Sequence, residues 1–177
     1  MLYFITGNSN KFDEIQALLP VPIERLSIDL PEVQEIDAKL IIEAKLKGAF
    51  EHHNGPFIVE DTSLCLDALG GLPGPFIKWF EKTVTCKGLA DIAEKMSNTN
   101  AHARVLIGYA KDKDSIQYFE GVLDGDIVQP RGTGGFGWDV IFQPKGGDRT
   151  MAEMSQQEKN EISMRRNAAM KLAVTLS

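Results

Sequence analysis

Small polar residues and one lysine lie between the first apolar run and the first helix-like run of the chain. The stretch FITGNSNK covers residues 4–11, in which the apolar run ends at Thr6 and a turn containing Gly7 leads to Lys11. Backbone N–H groups at the beginning of a helix favour an anion, and Lys11 adds a positive charge. The turn predicts an anion site of unspecified kind, and a plain strand–helix turn with a surface lysine is the alternative.

Carboxylates interrupt a later apolar run. Glu60 and Asp61 are adjacent within it, and Glu32 lies in the acidic loop at residues 29–35. Unpaired carboxylates in a buried strand are costly, so these acids are paired with lysine, lie near solvent or bind a metal ion. Carboxylate oxygens together with water and phosphate oxygens suit Mg²⁺. A magnesium site and a surface salt-bridge cluster both fit this local pattern.

Two patterns in the second half of the chain are compatible with ligand binding. GTGGFG, at 132–137, has the GxGxxG spacing, but Pro-Arg precedes it and strand-like WDVIF follows it, which excludes a dinucleotide-binding turn. Phe136 and Trp138 flank Gly137, so either a base stacks there or the rings lie in the core. EKNEISMRR, at 158–166, is either an anion-binding helix or a solvated one.

The bulk composition narrows the class of protein. The net charge of the 177 residues is −6, from 25 acids against 19 bases, which argues against a nucleic-acid polymer as partner. No apolar run approaches the roughly 18 residues of a membrane helix, and no signal peptide is recognisable. Cys65 and Cys86 lack a CxxC spacing and are expected to be free thiols. We therefore expect a cytoplasmic protein that contacts no membrane.

The order of periodic segments predicts how these residues are positioned. It reads β-α-β-α-β, then a meander, then a helix, which indicates an α/β domain with a mixed sheet and a cleft. Strands are predicted over 2–6, 23–28 and 57–69, and helices over 10–19, over 37–51 and from Ser155 to the end of the chain. The residues of the second helix predicted to point inward are Leu40, Ile41, Ala44 and Ala49. Asp124-Gly125 predicts a hairpin turn, and Ser155 with Glu158 has capping-box spacing.

Five blocks, in this order, carry a resemblance to a known family. They are TGNSNK at 6–11, LPE at 30–32, VEDTSLCLDALGGLPGPFIKWF at 59–80, PRGTGGFGWDVIFQP at 130–144 and AEMSQQEKNEIS at 152–163. With them the chain resembles, nearly end to end, the inosine triphosphatase family, whose members are non-canonical purine nucleoside triphosphate pyrophosphatases. The resemblance implies hydrolysis of ITP, dITP and XTP to the monophosphate and pyrophosphate, with Mg²⁺ or its substitute Mn²⁺, which cleanses the nucleotide pool.

The same resemblance implies a fold and an assembly. The fold is a two-lobed α/β domain with a long mixed β-sheet flanked by helices and an active-site cleft between the lobes. It also implies that residues 1–177 form a single pyrophosphatase domain and that the protein is a homodimer.

The resemblance further implies a role for each matching residue. The triphosphate contacts are Thr6, Gly7, Asn8, Ser9, Asn10, Lys11 and Lys45, with further substrate contacts from Thr62 and Lys78. The metal ligands are Glu32 and Asp61, and the residues that orient or deprotonate water are Asp61 and Glu60. The base pocket is formed by Phe136, Gly137, Trp138 and Asp139, and the last helix contributes Lys159, Met164 and Arg165.

One position departs from the family pattern. The family usually has Ser-His-Arg where this chain has Ser163-Met164-Arg165. A thioether is a poor hydrogen-bond partner for a base, so the departure affects base discrimination rather than phosphate chemistry. A pyrophosphatase of broader or altered base preference is therefore one alternative, and a catalytically weak nucleotide-binding sensor is a second, independent one.

Overall fold

The computed structural model describes residues 1–30 and 32–177, so Pro31 of the LPE block lies outside the described residues. The strands are β1 (Leu2–Ile5), β2 (Ile23–Leu26), β3 (Phe57–Leu66), β4 (Pro73–Gly74), β5 (Asn100–Asp112), β6 (Ser115–Ile127) and β7 (Phe142–Pro144). The helices are α1 (Ser9–Gln16), α2 (Ala38–His52), α3 (Ile77–Thr83), α4 (Thr85–Lys95), α5 (Gln156–Ile162) and α6 (Met164–Leu176).

Within the described residues, seven strands form one mixed sheet. The strand order is β2-β1-β3-β5-β6-β7, and β4 pairs with β3. Strand β1 is parallel to β2 and β3, while β4 and β7 pair antiparallel with β3 and β6. The predicted α/β fold with a mixed sheet and flanking helices is therefore confirmed, and the active-site cleft stays a prediction.

The chain divides into two compact units. The first comprises Met1–Thr62, Val105–Gly121 and Met164–Ser177, and the second comprises Ser63–Arg104 and Val122–Ser163. The prediction of one pyrophosphatase domain over residues 1–177 stays a prediction.

Helix α2 supplies much of the core of the first unit. Ile42 and Leu46 are four residues apart, so they share one helix face, and both are fully buried with Val59 of β3. Leu40 was predicted to point inward, but it is 46% exposed. Two residues rotate the direction of a side chain by about 200° around a helix, so Leu40 and Ile42 cannot both face the sheet.

Several predicted boundaries are wrong. The strand predicted over 57–69 ends at Leu66, and Asp67–Leu69 forms a 3₁₀ turn. Asp124-Gly125 lies inside β6, and the turn between β5 and β6 is residues 113–114, where the Asp112 carboxylate accepts from the Asp114 N–H at 3.0 Å. The last helix is interrupted at Ser163, whose ψ of 149° is extended. Gly125 is paired with Pro144 of β7, so the strand continues through the pair that favoured a turn.

Three other predictions can be compared with the structure. The capping box at Ser155 is present, since its hydroxyl accepts from the Glu158 N–H at 3.2 Å. Neither Cys65 nor Cys86 forms a disulfide within the described residues, as predicted. Among the described residues, no helix has the length and apolar character needed to cross a bilayer.

Candidate active site

The turn between β1 and α1 has the geometry of a capped helix start. Asn8 is the N-cap, its side chain accepts from the Lys11 N–H at 3.2 Å, and its own N–H donates to the Thr6 hydroxyl at 3.1 Å. No described atom outside the neighbouring residues lies within 4 Å of the position that a Cβ on Gly7 would take. The positive end of α1 and open space beside Gly7 therefore coincide at the predicted phosphate turn.

Two lysines approach the predicted catalytic acids on β3. The Lys11 ammonium lies 2.9 Å from Glu60 Oε1 and 3.0 Å from the Thr62 hydroxyl. The Lys45 ammonium on α2 donates to the Glu60 carbonyl at 2.9 Å and to Asp61 Oδ1 at 3.2 Å. Each lysine that is predicted to contact phosphate is thus paired with a predicted catalytic acid in this structure.

Arg165 donates hydrogen bonds to both carboxylate oxygens of Glu60. Its Nε donates to Glu60 Oε2 and its Nη2 donates to Glu60 Oε1, both at 2.9 Å, and the Thr62 hydroxyl donates to Oε1 at 2.9 Å. Arg165 Nη1 donates to Glu14 of α1, and the Arg165 side chain is 1% exposed. The structure therefore places Arg165 against two carboxylates, and the predicted substrate contact of this residue stays a prediction.

Glu14 was not predicted from the sequence. It is 5% exposed and lies next to the buried Ile15. The only sequence signal is this position beside the apolar face of α1. From the sequence alone, an acid in such a position cannot be distinguished from a solvent-exposed acid, because its partner Arg165 is distant in the chain.

The adjacent acids Glu60 and Asp61 have opposite electrostatic environments. Burial alone would raise the pKa of Glu60, but Arg165 and Lys11 outweigh it and hold that pKa well below its usual range. Burial raises the pKa of Asp61, and the ammonium groups of Lys45 and Lys11 offset only part of that rise. Glu60 is therefore expected to stay ionised, whereas Asp61 is the better proton acceptor of the two.

The donor set around Asp61 is compatible with a cation. In the described part of the chain, no group of three or more His, Cys, Asp or Glu side chains is arranged to hold a metal ion by itself. Asp61 Oδ2, however, is buried and has no hydrogen-bond partner among the described residues. Mg²⁺ is usually bound through one or two carboxylates plus substrate phosphates rather than in an all-protein cage. The residues present therefore fit a magnesium ion that arrives with a phosphate ligand.

The predicted base-pocket residues meet in the second unit. Asp139 is 3% exposed and accepts from the Phe136 N–H at 2.8 Å and from the Lys159 ammonium at 2.7 Å. The same ammonium lies 4.2 Å from the centre of the Phe136 ring. Asp139 thereby closes a 3₁₀ turn over Gly137–Val140, where the pattern WDVIF predicted a strand. Trp138 is 6% exposed.

Two residues beside this pocket were not predicted. Gly137 has a φ of +62°, and a Cβ there would lie 3.0 Å from a carboxylate oxygen of Glu81. The Cys86 thiol lies 3.8 Å from the Gly137 carbonyl. Neither Glu81 nor Cys86 has a local sequence signal, because both come from helices distant in sequence from the glycine-rich turn.

The remaining predicted residues lie in three places. Lys78 is on α3, with its ammonium 5.9 Å from the centre of the Trp79 ring. Glu32 is in the irregular segment before α2, where its carbonyl accepts from the Gln34 side chain at 3.2 Å. Met164 begins α6 and is 2% exposed. Their predicted contacts with metal or substrate stay predictions.

Comparisons with known proteins place the whole chain in one family. The sequence profile of the Ham1 family matches residues 2–175. An inosine triphosphate pyrophosphatase 1 of Trypanosoma cruzi is 44% identical over 172 residues, covering 95% of this chain and 88% of the relative. The inosine triphosphate pyrophosphatase of Schizosaccharomyces pombe is 42% identical over 174 residues, covering 97% and 92%.

A solved structure has the same fold. The Ham1 protein of Staphylococcus aureus superimposes with a TM-score of 0.84 at 24% identity, covering 99% of this chain and 98% of the other. At this identity the likeness bears on the fold alone. Together with the profile match over nearly the whole length, the comparisons identify this chain as a member of the Ham1 family.

Proposed function

We propose that this protein hydrolyses ITP, dITP and XTP to the nucleoside monophosphate and pyrophosphate, and so cleanses the nucleotide pool. Family membership and relatives named inosine triphosphate pyrophosphatase support the substrate class. The observation that carries the chemistry is the buried Asp61 Oδ2, which has no hydrogen-bond partner among the described residues, while Lys45 donates to the other oxygen of the same carboxylate. A hydrolase of triphosphates needs this combination of cationic groups and one acid that accepts a proton.

Substrate binding then requires Lys11 and Lys45 to contact phosphate oxygens, which offsets the negative charge of the triphosphate. An ammonium group has three N–H donors, so Lys11 can donate to a phosphate oxygen while it keeps its contact with Glu60. Glu60 is itself held by two hydrogen bonds from Arg165 and one from Thr62. The buried Arg165–Glu60 pair therefore positions Lys11 for the triphosphate.

Asp61 is the residue we propose to accept the proton of water. A new bond forms between the water oxygen and the α-phosphorus, the bond from that phosphorus to the bridging oxygen breaks, and pyrophosphate leaves. Among the described residues Asp61 Oδ2 has no hydrogen-bond partner, whereas Arg165 donates to both oxygens of Glu60, so Asp61 is better placed to accept a proton. Mg²⁺, held by Asp61 and Glu32 together with substrate phosphates, would supply positive charge to the phosphate oxygens.

The second unit supplies the proposed base pocket. Phe136 offers a ring to a purine, and Lys159 offers an ammonium donor that Asp139 holds in place. A donor directed at the 6-keto oxygen rejects adenine, because an amine leaves the donor unpaired. This arrangement would select inosine and xanthine over adenine. Guanine shares the keto oxygen, so its rejection requires a steric or polar clash at its exocyclic amine, for which Asp139 and the neighbouring backbone are candidates.

A substrate panel tests the proposal. Purified protein with Mg²⁺ is incubated separately with ITP, XTP, GTP and ATP, and both products are identified. Fast release of pyrophosphate from ITP and XTP, with GTP and ATP slow, is the expected result. Similar rates for all four would favour the enzyme of broader base preference, and tight ITP binding without turnover would favour the sensor. Orthophosphate as product would reject attack at the α-phosphorus.

The role of Asp61 has its own test. Asp61→Asn is expected to lower kcat for ITP by about 10²- to 10⁴-fold, the usual contribution of a general base. Asp114→Asn, which changes an exposed acid in the β5–β6 turn, is the matched control and keeps the parent rate. Turnover at the parent rate in a folded Asp61→Asn protein would reject the assignment.

Mg²⁺ dependence, a homodimer and a cytoplasmic location are proposals that the family resemblance supports. Omitting Mg²⁺ from the substrate panel tests the first, with Mn²⁺ added back as a substitute. Light scattering on the eluting peak of a size-exclusion column tests the second, and a mass near 39 kDa, twice the 19.6 kDa chain, is expected.

A further inference from the structure

Helix α6 lies directly on the backbone of β6 at one residue. A Cβ built on Gly121 would be 1.9 Å from the Met164 carbonyl oxygen and 2.6 Å from the Ala168 backbone nitrogen. Both neighbours are backbone atoms, so no side-chain rotation relieves the overlap. Every residue other than glycine at position 121 would therefore push the first turn of α6 away from the sheet.

The first turn of α6 carries Arg165, which connects this contact to the candidate active site. Arg165 holds both oxygens of Glu60 at 2.9 Å and also contacts Glu14. Glu60 in turn lies 2.9 Å from the Lys11 ammonium. The position of α6 on β6 is thus transmitted to a lysine of the phosphate turn through two directional contacts, of which the Arg165–Glu60 contact is fully buried.

We propose that Gly121 is a positioning residue for the phosphate site: the missing side chain sets the distance of α6 from β6 and thereby places Arg165, Glu60 and Lys11. This inference rests on the proposed function, in which Lys11 contacts the triphosphate. A methyl group at position 121 requires α6 to move by about 1 Å before the contact is sterically allowed. A movement of that size breaks 2.9 Å hydrogen bonds, and misplacements of 1 Å in active sites cost up to about 100-fold in rate.

Gly121→Ala tests the inference through KM rather than through rate alone. A variant that is only less stable contains fewer folded molecules, which lowers apparent kcat and leaves KM unchanged. A misplaced Lys11 weakens phosphate binding, so KM for ITP is expected to rise about tenfold. Calorimetry with inorganic tripolyphosphate measures the same loss of affinity without turnover.

Leu172→Ala is the matched control. Leu172 lies in the same helix, is fully buried and is two turns beyond Arg165, so its truncation weakens α6 packing without adding an atom at Gly121. It is expected to lower the unfolding midpoint while KM for ITP and the tripolyphosphate affinity stay at parent values. A folded Gly121→Ala protein with parent KM and parent tripolyphosphate affinity would overturn the inference.

If Gly121→Ala does not fold, a second variant tests the same inference. The Lys171 ammonium donates to the Glu120 carbonyl at 2.7 Å, next to Gly121, from an exposed position on α6. Lys171→Met removes this contact, and KM is expected to rise about twofold; an unchanged KM there would count against the inference. Failure of the parent protein to hydrolyse ITP rejects the proposed function alone, since tripolyphosphate affinity still compares the variants.

Discussion

The buried ion pair between Arg165 and Glu60 allows the effect of a conservative substitution on the free energy of unfolding to be estimated. Arg165→Lys keeps the positive charge but replaces a planar fork that makes two hydrogen bonds to Glu60 and one to Glu14. Hydrogen bonds to charged groups contribute about 1.5–3 kcal/mol each, and one lysine ammonium can replace some of them. Breaking a buried ion pair completely costs about 3–5 kcal/mol. We expect Arg165→Lys to lower the free energy of unfolding by about 2–4 kcal/mol.

Urea denaturation at pH 7, followed by circular dichroism, measures this loss. Arg149→Lys is the control, because Arg149 makes a 2.8 Å contact with Glu158 in which both side chains are about half exposed. Exposed pairs contribute little, so this control is expected to keep the parent urea midpoint. The reasoning is refuted if the two variants unfold at the same midpoint, since burial would then make no difference to the Arg–Glu contact.

Two further predictions concern acid stability and base selection. The free energy of unfolding is expected to fall as the pH drops below about 4.5, because the folded state holds the pKa of Glu60 below its ordinary value of 4.5 and the unfolded chain therefore takes up the proton first. Glu60→Gln should unfold with a shallower pH dependence in urea titrations between about pH 5 and pH 3, and identical slopes would assign the acid sensitivity to other carboxylates. Met164→His should raise the ratio of kcat/KM for ITP over ATP, because an imidazole can hydrogen-bond where the thioether cannot. An equal ratio in both proteins, with Met164→His folded, would show that position 164 does not affect selectivity.

The fold was predictable wherever one local signal dominated. Asn8 is the N-cap of α1, a position that asparagine favours, and β1 to β3 begin in the predicted apolar runs. The prediction for Leu40 is wrong because α2 has apolar residues on more than one face, and only the sheet beneath it decides which face is buried. The Asp124-Gly125 hairpin is wrong because a favourable turn pair does not form a turn within a paired strand.

The site was predictable as a set of residues but not as a set of contacts. The family resemblance selected Lys11, Lys45, Glu60 and Asp61, and the structure brings these four together. It could not reveal that Arg165 turns toward Glu60 and Glu14, because that contact joins residues 105 and 151 positions apart in the chain. Long-range pairing of this kind depends on how α6 lies on the sheet, which no local pattern encodes.

The contrast between Glu60 and Asp61 follows from strand geometry. Successive side chains of a strand point to opposite faces of the sheet, so two adjacent acids on β3 encounter different surroundings. Glu60 meets the guanidinium of Arg165, which donates to both of its oxygens, whereas Asp61 meets one lysine at Oδ1 and retains a buried Oδ2 without a partner among the described residues. Glu60, whose pKa is lowered, stays ionised, so it can hold cationic side chains in place but accepts a proton poorly. Asp61, whose pKa is raised, can accept a proton. The adjacent acids therefore have separate proposed tasks, the first in positioning Arg165 and Lys11 and the second in activating water.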